Sequence, residues 1–382
     1  MNGLSNEKRS GIEFLKNPYF RAVDYWLIIP VLLLSAIGLF VLNDVYSYGI
    51  LANDYPQNIY RQAGAAFVGA AIALVICLIE THFIKLLGWI TYWSSIFLLL
   101  LVPFDGYSLR DKTGADAWVK IPLINMTFQP SELTKIGLAI VIAFLLQDMT
   151  ERKVSAKKGI LMMAGLYLLP IALIQYQPDT GTQMVIVFSL CCMLFVWGVK
   201  YRYIFLAISG AVVASPFVFF NLLSGFQQNR ILSVFFQGAD PANDYNREQS
   251  MAAIASGGLT GSTSGRPISV PIKESDFIFS AVSEQMGFIG TTAVILLAFF
   301  FLLRCLYIAS RCEIKAHSYI VMGLMGVFAF HYIENMGMAI GLLPITGIPL
   351  PFISGGGTAL MMNFISVGII MNISMFRSLR KP

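Results

Sequence analysis

The chain has 382 residues, 57% of them hydrophobic and only 12% charged, with a formal net charge of +5. A soluble globular surface carries about 25% charged residues, so most of the surface of this chain must face lipid. No basic run is interleaved with aromatics, which excludes nucleic acid as a partner.

The first apolar stretch, 25–42, is longer than a signal-peptide core and has no small-residue cleavage site after it. Further apolar runs follow at once, so it reads as a retained span. Comparable stretches lie at 63–80, 84–103, 132–147, 159–175, 182–198, 203–224, 277–308, 318–343 and 354–376. The eighth is long enough to include a turn near Gly287 to Gly290. Positive residues should collect in short cytoplasmic loops. With the N-terminus inside, most of the 26 Lys and Arg do so, among them Lys85, Arg152, Lys153, Lys157, Lys158, Arg304, Arg311 and Lys315. The expected fold class is an all-α integral membrane protein of about ten transmembrane helices with both termini cytoplasmic. Segment 1–24 and tail 377–382 would lie inside, flanking a single polytopic domain over 25–376. Two outer segments stand out by length, 104–131 and 225–276. The second, between helices 7 and 8, is the large extracytoplasmic loop, expected to be partly ordered on the membrane surface. Cys77, Cys191, Cys192, Cys305 and Cys312 fall in apolar runs or on the cytoplasmic side, and no disulfide framework is implied.

Ionisable residues at membrane depth are costly unless they face a cavity or pair with one another. Glu132 and Lys135 open the fourth span three residues apart and share a helix face. They read either as an ion pair that cancels charge or as site residues. Asp179, in Gln177-Pro178-Asp179-Thr180-Gly181-Thr182, reads as an N-cap or as part of a site. Asp276 lies where the large outer loop re-enters the membrane, against Phe277, Ile278 and Phe279. An apolar wall there raises a carboxylate pKa toward the range of a general base, although Asp276 could also cap a helix. Glu284 follows within the membrane. His331 and Glu334, mid-span in the ninth stretch, read as a hydrogen-bonded i,i+3 pair. The run from Gly341 through Thr346, Gly347 and Ser354 to Thr358 holds three prolines and a cluster of glycines and cannot be a regular helix. Non-helical backbone at membrane depth must be buried in protein or line a wet cavity. Alone, it fits a channel, a transporter or an intramembrane enzyme.

Several motifs, taken together, resemble the SEDS family of polytopic membrane proteins (RodA, FtsW and SpoVE). They are Phe128-Gln129-Pro130-Ser131-Glu132-Leu133-x-Lys135, Pro178-Asp179-x-Gly181-Thr182, the stretch from Gln249 to Gly261, and Ser275-Asp276-Phe277-Ile278-Phe279 with Glu284. The Pro344-to-Gly357 stretch, headed by Asn335-x-Gly337-Met338, completes the set. The motifs occur in the family's order and span nearly the whole chain, and total length and short tails resemble the RodA branch. The chain departs from the family at Ala117, where an Arg often precedes the Trp, and at Gly355, where a Tyr is usual.

The resemblance implies a peptidoglycan glycosyltransferase of the bacterial cytoplasmic (inner) membrane, serving elongation and shape. It would polymerise lipid II, a disaccharide-peptide on a polyprenyl diphosphate, at the outer face, with inversion at the sugar. Asp276 would be the general base. Lys135 would meet the diphosphate, with Arg230 and Lys120 as further candidates. Glu132 and Asp179 would position Lys135 or hold a divalent cation, Mg or Mn. Gln129, Ser131, Thr346 and Ser354 would complete the substrate-binding set. The expected partners are a class B penicillin-binding transpeptidase and other membrane proteins of the elongation complex. The alternative is a flippase for the lipid-linked precursor. That reading calls for charged residues along a full transmembrane path and inverted repeats, whereas the charged motifs here cluster on one side.

Overall fold

The computed structural model describes residues 22–48, 55–104, 117–121, 126–221, 223, 225–236, 238–263 and 267–379. The rest of segment 1–24, the end of the tail and much of the loop 104–131 lie outside the described residues, as does the side chain of Lys120. In chain order come α1 (Tyr25–Ser47), α2 (Gln57–Leu78), α3 (Phe83–Leu101), strands β1 (Val119–Ile121) and β2 (Met126–Phe128), α4 (Pro130–Thr150), α5 (Ala156–Tyr176), α6 (Thr180–Trp197) and α7 (Tyr201–Asn221). Then follow α8 (Gly225–Phe235), α9 (Pro241–Ser256), α10 (Ile278–Ser310), α11 (Lys315–Ala339) and α12 (Gly357–Leu379). Ten of these helices, α1 to α7 and α10 to α12, are long and apolar enough to cross a membrane. The large outer region between α7 and α10 contains the two shorter helices α8 and α9. The antiparallel β1–β2 hairpin, with Val119 opposite Phe128, is an addition to the all-α expectation.

Local chemistry sets the helix ends. Asp24 caps α1 by accepting from the Leu27 N–H at 3.3 Å. Its carboxylate also receives the Arg304 guanidinium on two oxygens, at 2.9 and 2.8 Å, and the Ser374 hydroxyl at 3.1 Å, which ties α1, α10 and α12 together at the inner end. Pro130 starts α4, where its missing N–H costs nothing. The turn expected near Gly287 to Gly290 is present as a break in α10 at Gly287, with φ 62° and ψ −163°. Glycine is required there by its sign of φ and by crowding, because a Cβ would lie 2.5 Å from the Gly261 nitrogen. The loop after α9 bridges the break, with Ser262 N–H donating to Glu284 O (2.7 Å) and Phe288 N–H to Gly258 O (2.9 Å). These bonds satisfy backbone groups that lipid could not.

Helix α11 is the axis of the bundle. It is buried along almost its whole length and packs on α4, α6 and α10. Around it α3 packs on α4, α12 on α2, and α1 and α9 on α10. By contrast α7 has no buried residue, as suits a helix that presents apolar side chains to lipid on all sides. All five cysteines are free thiols.

Segment 340–356, between α11 and α12, has no regular structure and is enclosed by the bundle, as its composition requires. Gln62 of α2 clamps its end, donating to Ser354 O at 3.0 Å and accepting from Gly356 N–H at 3.1 Å. Phe352 holds φ at +67°, a rare conformation for a bulky residue. Its ring is fixed by Phe328 (centroids 5.5 Å apart, stacked), Phe301 (5.8 Å) and Phe364 (5.8 Å). Helix α1 presses on this segment at Gly38, where a Cβ would lie 2.7 Å from Ile353 Cα and 2.8 Å from Phe352 O. Backbone on both sides leaves little room to yield. Gly38→Val should therefore lower stability by about 1–3 kcal/mol, the usual cost of overpacking, read as a fall in the unfolding midpoint of the detergent-solubilised protein.

Candidate functional site

The ends of α4, α6 and α12 meet segments 272–277 and 346–349 at one end of the bundle, around a cavity of about 300 Å³. It is the end opposite the basic loops, hence the outer one by the charge rule. The β1–β2 hairpin borders it through Trp118 and Thr127, and Thr358 at the start of α12 holds the hairpin by donating to Thr127 O at 2.8 Å. Four carboxylates line the cavity, those of Glu132, Asp179, Glu274 and Asp276, together with His331.

Asp276 lies on the irregular approach to α10. It does not cap that helix, whose N-cap is Phe277 with no side-chain bond. The Asp276 carboxylate accepts from the Ser275 hydroxyl at 2.7 Å. Burial pushes its pKa up to about 6, with Glu274 adding to the rise and Ser275 and the Arg230 guanidinium opposing it. The carbonyls of 274, 275 and 276 are each taken by a different donor: Gly355 N–H (2.7 Å), Ser354 Oγ (2.6 Å) and Asn335 Nδ2 (2.7 Å). Opposite, Gly347 has φ +77°, and a Cβ there would lie 3.4 Å from Asp276 Oδ2. Farther along, Lys273 pairs with Glu284, which also accepts the Ile268 N–H at 2.7 Å, so the acid read within the membrane anchors the loop that carries Asp276.

Glu132 and Lys135 form the expected ion pair, at 2.7 Å. Lys135 also approaches His331 Nε2 at 3.0 Å, while His331 Nδ1 is 3.0 Å from Pro349 O. A carbonyl only accepts, so Nδ1 carries the hydrogen, and Nε2 accepts from the ammonium. His331 and Glu334 thus do not pair with each other as the sequence suggested. Glu334 instead accepts from the Thr346 hydroxyl at 2.6 Å. Each side chain is drawn to the irregular segment, whose polar groups would otherwise lie unpaired.

Asp179 is both a cap and a wall residue. It accepts from Thr182 N–H (3.0 Å), the Thr182 hydroxyl (2.7 Å) and Gln129 Nε2 (3.2 Å). Helix α8 docks on the start of α6 through Gln227, which donates to Thr180 Oγ1 at 2.9 Å. Its Arg230 feels Asp240, Asp276 and Asp179. Burial lowers the guanidinium pKa and the three acids oppose that shift.

The residues singled out from the sequence therefore fall into layers. Asp276, Asp179, Glu132, Gln129 and Thr346 line the cavity. Lys135 and Ser131 are buried behind its wall, and Ser354 is spent on backbone, donating to Ser275 O and accepting from Leu350 N–H at 2.7 Å. Lys120 sits on β1, and its side chain lies outside the described residues. The sequence reading missed Glu274 and the hairpin residues Trp118 and Thr127. The adjacency of Glu274 to Asp276 was a usable signal, but nothing marked three-residue strands inside a long loop. Among the described residues no group of three or more His, Cys, Asp or Glu is placed to hold a metal ion. The carboxylate oxygens of Glu132 and Asp179 are nonetheless hard donors, and they suit a Mg²⁺ that takes most of its ligands from water and a phosphate.

The chain matches the cell cycle protein family of FtsW, RodA and SpoVE over residues 25–379. It is 30% identical over 357 residues to the peptidoglycan glycosyltransferase MrdB of Escherichia coli, covering 92% of this chain and 94% of that protein. It is also 30% identical over 368 residues to the stage V sporulation protein E of Bacillus subtilis, covering 92% and 97%. Among solved structures, the rod shape determining protein RodA of Thermus thermophilus superposes with a TM-score of 0.68 at 25% identity, over 93% of this chain and 97% of that one. A chain from a peptidoglycan synthase complex, solved for the structural coordination of polymerization and crosslinking, superposes with a TM-score of 0.79 at 27% identity, over 93% and 98%.

The Glu132–Lys135 pair gives a test of the wall itself. Both side chains are nearly inaccessible, 5% and 3% exposed. Lys135→Met would leave a buried carboxylate without its counter-charge and cost about 3–5 kcal/mol, whereas Lys135→Met combined with Glu132→Leu should be close to neutral. A double-mutant cycle on unfolding midpoints measures the coupling.

Proposed function

The chain belongs to the SEDS family of FtsW, RodA and SpoVE and is a peptidoglycan glycosyltransferase of the bacterial inner membrane, acting in cell wall and shape synthesis, and from that premise we propose that Asp276 is its general base and lipid II its substrate. The observation that carries this reading is the Asp276 carboxyl in the cavity wall, with a pKa raised to about 6.

In the proposed reaction a sugar hydroxyl attacks the anomeric carbon that carries the diphosphate. A new carbon–oxygen bond forms as the bond to the diphosphate oxygen breaks. The hydroxyl proton passes to Asp276, and the bonding electrons leave with the polyprenyl diphosphate, so the α-linked donor becomes a β-linked product. A base with a pKa near the working pH combines ionisation with proton affinity, which an ordinary carboxylate of pKa near 4 does not.

The leaving diphosphate needs positive charge, and the carboxylates of the wall repel it. Arg230, whose guanidinium feels both Asp276 and Asp179, would meet it. Lys135 acts from behind the wall by compensating Glu132. Asp179 and Glu132 would hold a Mg²⁺ or Mn²⁺ ion, which supplies charge at the diphosphate when bound. Gln129 orients Asp179, and Thr346, held by Glu334, offers a hydroxyl at the wall. Crosslinking is the work of a second enzyme. A class B penicillin-binding transpeptidase fits the synthase complex to whose chain this one is similar, and the other membrane proteins of the elongation machinery fit the RodA likeness.

Purified protein, reconstituted with its transpeptidase partner and labelled lipid II, should extend glycan chains. Asp276→Asn should reduce the rate by about 10²–10⁴-fold with the melting temperature retained, and normal polymerisation by that variant would remove Asp276 as the base. The wild-type rate should be full at neutral pH, when Asp276 is ionised, and fall as pH drops through about 6. Chelation should stop the reaction, and added Mg²⁺ or Mn²⁺ should restore it.

A further inference from the structure

We propose that Asn335 is a positioning residue for the transfer reaction, holding Asp276 and the opposing wall of the cavity at a fixed separation. The inference rests on Asp276 being the base.

Asn335 lies in α11 and is completely buried. Its Nδ2 donates one hydrogen to Asp276 O at 2.7 Å and the other to Ile348 O at 2.8 Å. Both partners are carbonyls and can only accept, so the orientation of the amide is fixed by its environment. The two carbonyls belong to different irregular segments. One carries Glu274, Ser275 and Asp276, the other Thr346, Gly347 and Pro349, and the cavity lies between them. Neither segment is helical, so neither can set its own distance to the other. Gly355 N–H and Ser354 Oγ join the two segments at 274 and 275, and at Asp276 and Ile348 a single planar group with two hydrogens at fixed spacing sets the distance.

Helix α11 makes three such contacts with segment 346–349: Glu334 to Thr346, Asn335 to Ile348 and His331 to Pro349. Of these, Asn335 also grips the backbone of Asp276. The cost of the arrangement is visible in the same side chain. Among the described residues its buried Oδ1 has no hydrogen-bond partner, a state that proteins avoid because the desolvation of the oxygen is uncompensated. A residue chosen for packing alone would be apolar. Asparagine at this point is explained by the need for two donors from one atom.

The test uses the full-length protein with its transpeptidase partner, labelled lipid II, and Asn335→Leu beside Asp276→Ala. Leucine keeps the branched side-chain skeleton and removes both donors. The expected result is a fall in kcat of roughly 10–100-fold, the scale of an ångström-level misplacement of reacting groups, with KM little changed. The acid limb of the pH–rate profile should also move below its wild-type position, because a loosened Asp276 gains water and its pKa falls toward the ordinary carboxylate value. The groups that face Asp276 are otherwise unaltered: Glu274 on its own segment, Arg230 on α8, Asp179 on α6, Glu132 on α4 and His331 on α11. A fall in amplitude with the limb unmoved, or a normal kcat, overturns the proposal. Activity in Asp276→Ala overturns the base assignment instead, so the two failures are distinct. If Asn335→Leu does not purify as a monodisperse species, Asn335→Ser, which retains one donor, is read by the same criteria.

Discussion

A peptide group placed in hydrocarbon has no water to bond, and this constraint governs the outer half of the molecule. The chain between α11 and α12 abandons helical geometry within the bundle, so its carbonyls and N–H groups must find protein partners. They find them in polar residues that would otherwise be out of place in membrane helices, Gln62 on α2 and His331 and Asn335 on α11, while Glu334 takes the hydroxyl of Thr346 in the same segment. The polarity of α11 thus follows from the irregularity of its neighbour. The same bonds bring 346–349 and 272–277 face to face, and the cavity is the space they leave.

Electrostatics works in layers outward from that frame. Lys135 balances Glu132 in the protein interior, which allows a carboxylate to stand in the wall. Among the described residues Asp276 makes no comparable ion pair. The cation that opposes the rise of its pKa is Arg230, on α8. Burial therefore prevails, and the carboxyl holds its proton more tightly than a surface acid would. Where the cations sit thus separates an acid that is paired inside the bundle from one whose pKa burial raises.

Hydropathy and charge made the spans and their orientation legible. Both are properties of 20-residue windows, and lipid imposes them residue by residue. The break at Gly287 was legible because the eighth apolar run exceeded the length of a span. Asp276 and Asp179 stood out because acids at a membrane edge are costly. Pair geometry was not legible. His331 and Glu334 are neighbours on a helix face, yet their partners lie at Lys135, Pro349 and Thr346, and sequence spacing carries no information about contacts across the bundle. For the same reason the bond of Ser354 to Ser275 O was not legible. The strands β1 and β2 are three residues each, too short to show a period.

The aromatic group formed by Phe352, Phe328, Phe301 and Phe364 lies toward the cytoplasmic side of His331, since α11 runs outward from Lys315 and reaches Phe328 a turn earlier. It is a dry floor. Phenylalanine rings carry neither a hydrogen-bond donor nor an acceptor, so this layer offers a proton no carrier between the polar cavity and the cytoplasmic ends of the helices.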